Sequence, residues 1–97
     1  MVVGICAIEL ALAENHDLKG KRQVLRSIKD RVRNRFNVSI AEVGGLDSWQ
    51  RAVLGVACVS KDRAQVEREL AHVARFVEGL HLAEVEDIEV EIVAGVG

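Results

Sequence analysis

The chain has 97 residues, 49% of them hydrophobic and 29% charged, with a formal net charge of -2. That length admits one domain, burying roughly 60 to 70% of the surface its unfolded form exposes, and the composition excludes disordered, fibrous and low-complexity classes. No stretch approaches the ~18 apolar residues of a membrane span, so no membrane role is expected.

The N-terminal stretch MVVGICAIELALA combines an apolar run with a small-residue segment of the kind found at export cleavage sites. Glu9 interrupts the run and no basic residue precedes it, so Val2 to Leu12 reads as a buried strand and the expected location is cytoplasmic. Ala13 to His16 is a loop, and Asp17 stands at an N-cap, where its carboxylate accepts from the free amides of a following helix. In that helix Leu25, Ile28, Val32 and Phe36, with Val24 beside them, form one apolar stripe. Asn37 breaks it, and Val38 to Val43 is extended. Gly44 and Gly45 supply the positive backbone angles of a turn.

Arg51 to Ser60 (RAVLGVACVS) is a second buried strand. Ser60 or Asp62 caps a second helix built on Val66, Leu70, Val73, Val77 and Leu80, with Gly79 marking its end. In Ile88 to Ile92 the residues Ile88, Val90 and Ile92 alternate with Glu89 and Glu91, and Asp87 extends the charged side, so this strand has a dry and a wet face. Residues 95 to 97 form a tail.

The order strand, helix, strand, strand, helix, strand predicts an α+β, ferredoxin-like βαββαβ fold over residues 1 to 97: a four-stranded antiparallel sheet with two helices on one face. A faint likeness between Val3 to Ile8 (VGICAI) and Leu54 to Val59 (LGVACV) fits two related halves. The first and third strands are apolar or small at both parities, yet two helices cover only one face. We therefore expect the other face to be covered by a second copy or a partner, with Val3, Ile5 and Val53 in the contact. The alternative is that small side chains and flanking glutamates keep the face solvated. Trp49, beside Gln50 and Arg51, either seals the end of the core or, with Arg51, anchors a partner.

Chemistry-bearing patterns are few. His16, His72 and His81 have no ligand spacing and no cysteine in zinc-site spacing, and no phosphate-cradling glycine loop occurs, so no metal or cofactor is expected. The carboxylates of the last strand read as a solvated face rather than a divalent-ion site, because strand residues two apart are too spread to converge on one ion. Cys6 and Cys58 lie in apolar runs without CxxC spacing, consistent with free buried thiols in a reducing compartment. An acylphosphatase-type enzyme shares this chain order, but its paired Arg and Asn are not apparent, and no catalytic constellation is expected.

The strongest signal is KGKRQVLRSIKDRVRNR, residues 19 to 35, with eight Lys or Arg against one Asp. Its local charge is +7, leaving -9 for the other residues. At about 100° per residue, Arg22, Arg26, Lys29 and Arg33 fall in one row on a flank of the apolar stripe, with Lys19 at its start, while Arg31 and Arg35 lie on the opposite flank. A cationic row of that period meets a phosphate backbone, and Lys19, Lys21, Arg22, Arg26, Lys29 and Arg33 are the candidate contacts. The competing reading is a solvated helix whose cations pair with the acidic last strand or with acids of the second helix. Phe36, Trp49 and Phe76 are the only aromatic residues, and they do not make the strand-borne stacking platform of RNA-recognition domains.

Two longer stretches, DLKGKRQVLRSIKDRVRNRFNVSIAEV and LDSWQRAVLGVACVS, resemble the signature of the YlxP-like family, a bacterial domain of unknown function. The resemblance runs from VGICAIEL to the second helix. It implies a ferredoxin-like fold and, since genes of the family neighbour those of transcription and translation factors including ribosome-binding factor A, a role near ribosomal RNA. The chain departs from the family pattern at Asp17, where Ser is usual, and at Gly20, where an acidic residue is usual, which removes a capping-box partner and leaves that turn more positive. No catalytic residue is implied. The expectation is an accessory factor that binds structured RNA or the ribosome; the alternative is a homo-oligomeric interaction module.

Overall fold

A computed structural model describes all residues, 1 to 97. The elements in chain order are β1 (Val2–Ala11), α1 (Leu18–Arg35), β2 (Ser39–Gly44), β3 (Arg51–Ser60), α2 (Arg63–Leu80) and β4 (Glu84–Ala94). They form one antiparallel sheet in the order β2-β3-β1-β4, the ferredoxin-like arrangement expected from the βαββαβ pattern.

The pleat sorts the central strands. Cys6, Ile8 and Leu10 on β1 and Ala52, Leu54, Val56 and Cys58 on β3 are buried beneath the helices. They join Leu25, Ile28 and Val32 of α1 and Val66, Leu70, Val73 and Val77 of α2 in one contiguous core. Full burial of each Val, Leu or Ile among them contributes about 1.5 to 3 kcal/mol. The opposite parity, including Val3, Ile5, Val53 and Ala57, lies on the face with no helix, so the structure decides which side of β3 is dry.

Register gives the likeness of VGICAI to LGVACV a different meaning. Gly4 pairs with Cys58 on the helix face, whereas Gly55 pairs with Ala7 on the open face. Positions that match in sequence therefore face opposite ways, because the period of a strand is two. The two cysteines are also offset: Cys6 pairs with Val56, not with Cys58, and both thiols are free and buried.

Gly4 has a specific packing role. A Cβ there would stand 2.2 Å from Val66 Cγ1 and 2.8 Å from Leu70 Cδ1, so α2 rests on bare backbone at the centre of the sheet.

Several boundaries differ from those read in the sequence. Of the two turn glycines only Gly45 has positive φ, at 69°, while Gly44 ends β2 opposite Val53. Asp62 rather than Ser60 caps α2, accepting from Ala64 N at 2.9 Å, and Ser60 Oγ accepts from Asp62 N. Gly79 does not end α2; the helix runs to Leu80, and His81 takes the left-handed conformation at φ 52°. β4 is longer than Ile88 to Ile92 because its register shifts where Glu9 pairs with Asp87 but Leu10 pairs with Val85. Glu86 is the extra residue of that bulge, which hides the alternation in the sequence while returning Val85 to the core side.

Candidate nucleic-acid interface

Local chemistry sets the start of α1. Asp17 Oδ1 accepts from Gly20 N at 2.7 Å, and Asn15 Nδ2 donates to Asp17 O at 2.7 Å and to Trp49 O at 2.6 Å. Asn15 folds back so closely that a Cβ on residue 20 would meet its Oδ1 at 2.3 Å. Gly20 is thus where the turn needs room, and no acidic side chain follows in the first turn of the helix. The chain leaves α1 at Phe36, whose N–H bonds Val32 O at 2.8 Å.

Along this helix Lys19, Arg22, Arg26 and Arg33 are exposed and Lys29 is half-buried. The protein has four ion pairs, and among these five cations only Arg33 takes part, with Asp30 at 3.6 Å. Arg33 Nη2 also donates to Ile40 O at 2.9 Å, which places this flank beside the edge strand β2. The opposite flank faces α2, where the Arg35 guanidinium lies 5.2 Å from the centre of the Phe76 ring. The backbone of α1 lies against β2 and α2, and no Cα of it comes within 8 Å of β4. The acidic strand therefore does not neutralise the basic helix within the chain; the two lie at opposite lateral edges of the sheet.

Lys21 departs from the expected set. It is 2% exposed, and its Nζ donates to Gly45 O at 2.6 Å and to Ser48 O at 2.7 Å. Glu42 Oε2 stands 3.0 Å from the same nitrogen as an ionic contact outside hydrogen-bond geometry, and no other donor reaches that oxygen. With its ammonium enclosed, Lys21 is not offered to a phosphate. A signal for this was present: Lys21, Leu25, Ile28 and Val32 recur at four, three and four, which puts Lys21 on the core stripe.

The loop that Lys21 holds carries Trp49. Ser48 Oγ accepts from Gln50 N and Arg51 N, and Leu12 N bonds Gln50 O at 2.8 Å. The Trp49 side does not seal the core, since the residue is 53% exposed. Arg51 at the start of β3 pairs with Glu86 of β4. Val3, Ile5 and Val53 lie some distance from α1, on the far side of the sheet.

The other titratable groups stand apart from this surface. Burial raises the thiol pKa of Cys6, and of Cys58 with a further upward push from Glu69, so both stay protonated in the core. An open groove of about 850 Å³ lies between the start of α1, the end of α2 and the start of β4, but Glu14, Glu78 and Glu84 line it, which sets it against anions. Phe36 and Phe76 pack edge to face at 5.4 Å between the helices and present no stacking surface. No helix is long and apolar enough to cross a membrane.

The uncharacterized protein YlxP of Bacillus subtilis (strain 168) is 44% identical over 77 residues, which cover 79% of this chain and 84% of that protein. Two solved structures share the fold at low identity: the de novo designed protein Foldit4, with a TM-score of 0.55 and 18% identity over 98% of each chain, and the structural-genomics protein YJCS, with a TM-score of 0.54 and 14% identity over the whole of both. A family profile described as "Protein of unknown function (DUF503)" matches residues 3–90. With nearly the whole chain inside that match and a curated relative at this identity, the chain belongs to the DUF503, or YlxP-like, family.

Proposed function

We propose that this protein is a cytoplasmic accessory factor that binds structured RNA or the ribosome through α1, with Lys19, Arg22, Arg26, Lys29 and Arg33 contacting phosphates. The observation that carries this reading is the unneutralised row. Four of its five cations have no acidic partner, and the acidic strand lies at the other edge of the sheet. From Arg22 to Arg33 the row runs about 17 Å along the helix axis at 1.5 Å per residue. It presents no ring for base stacking and no carboxylate except Asp30, so it reads charge and backbone shape rather than base sequence.

The experiment is charge reversal. Arg22, Arg26, Lys29 and Arg33 replaced together by Glu, in a variant whose circular dichroism shows an intact fold, should lose RNA affinity by about 100-fold or more at low salt. Ribosome co-sedimentation should fall in parallel. Unchanged affinity in the folded variant would sink the reading.

A further inference from the structure

The helix-free face of the sheet is an apolar surface with an acidic border. Val3, Ile5 and Ala7 of β1 lie beside Val59, Ala57 and Gly55 of β3, with Ile5 43% and Val59 65% exposed. Glu9, Asp87, Glu89 and Glu91 share this face along the β4 side. Arg51, at one end, is already committed to Glu86. Such a border disfavours polyanions, so this face is not an extension of the α1 surface.

Size and shape favour a second copy. Strands of ten, six, ten and eleven residues, at about 3.3 Å per residue and about 4.8 Å between strands, give just under about 600 Å² per face, or about 1,200 Å² for a pair. That reaches the range of about 1,200 to 2,000 Å² seen in specific interfaces. The face is also self-complementary. Ile5 sits directly beside Ala57 in the β1–β3 register. A two-fold axis running along that seam places each Ile5 over the partner's Ala57, a large side chain on a small one, twice by symmetry. The same rotation carries the acidic β4 over the partner's β2 side and keeps the two carboxylate rows apart, whereas an axis across the strands would stack them.

We propose that the protein is a homodimer joined face to face through this sheet surface, with β1 over β3 of the second copy and the two α1 helices on the outside. The proposal is independent of the RNA reading, because α1 lies on the other side of the sheet.

Sedimentation equilibrium tests it. The protein should run at about 21 kDa at micromolar concentration, twice the 10.6 kDa of the chain. Molar salt should leave that mass unchanged, because the β1 and β3 side chains at the centre of the contact are apolar and salt screens the carboxylates at its border. Ile5→Glu and Val59→Glu, each at an exposed position and checked for fold by circular dichroism, should both be monomeric. The charge-reversed α1 variant should remain a dimer. A wild-type mass of 10.6 kDa, with the face left for a different partner, would overturn the proposal. So would folded Val59→Glu and Ile5→Glu proteins that still dimerise, or a dimer that dissociates in molar salt, the behaviour of a head-to-tail contact between α1 and β4.

Discussion

Lys21 carries its charge into the protein interior, where an ammonium is costly to desolvate, and the surrounding acceptors offset that cost. Two carbonyls of the β2–β3 loop accept from it, and Glu42 supplies the counter-charge. One side chain thereby ties the first turn of α1 to the hairpin that presents Trp49. Lys21→Met keeps the length and removes the charge, leaving Glu42 and two carbonyls without their partner. We expect it to lower the unfolding free energy in urea by about 2 to 4 kcal/mol. Because the ammonium is enclosed, the RNA affinity of the folded variant should stay within about twofold of wild type, whereas removing one phosphate contact would weaken binding and flatten the salt slope by about one. The position of Lys21 on the core stripe was legible in the spacing of α1; its acceptors were not, because they lie 24 and 27 residues away on a loop that local sequence does not place.

At the scale of elements, the seat of α2 on β1 depends on the missing side chain of Gly4. In sequence this glycine reads only as a weak point in a strand, since nothing local says that Val66 and Leu70 will lie against it. Gly4→Ala places a methyl group inside the radius of both side chains. We expect a loss of about 1 to 3 kcal/mol, the usual cost of overpacking a filled core, read as a lowered melting temperature in calorimetry. The far ends of the same elements show the limits of local reading. His81 ends α2 in a conformation that favours glycine, while Gly79 stays helical. The bulge at Glu86 breaks the period of β4 because the register of its neighbour, not its own sequence, sets which residue is extra.

For the whole molecule, the decisive arrangement is the separation of charge. A net charge of -2 conceals a helix region of +7, and the sheet order puts α1 above the β2 edge with β4 at the other. Coulombic repulsion from β4 is then screened at the distance of α1, since the Debye length is about 8 Å at physiological salt. With Lys21 enclosed and four to five cations left to neutralise phosphates, the logarithm of RNA affinity should fall with the logarithm of salt at a slope of about -3 to -4.5. Filter binding across a salt series checks this, and a flat response would count against a phosphate contact of any kind.

Element order and the apolar stripes of both helices are legible in the sequence because they rest on periods of two or 3.6 residues, and the split of charge because it is a run of neighbours; all are local properties of a chain. The sequence also showed that β1 and β3 are apolar at both parities, and hence that one sheet face would want a cover. Which parity faces the helices, that Lys21 is inside while Arg22 is outside, and that the basic helix forms no ion pair with the acidic strand are set by the tertiary fold. Those outcomes depend on strand register and sheet order, which are fixed by contacts between residues far apart in the chain.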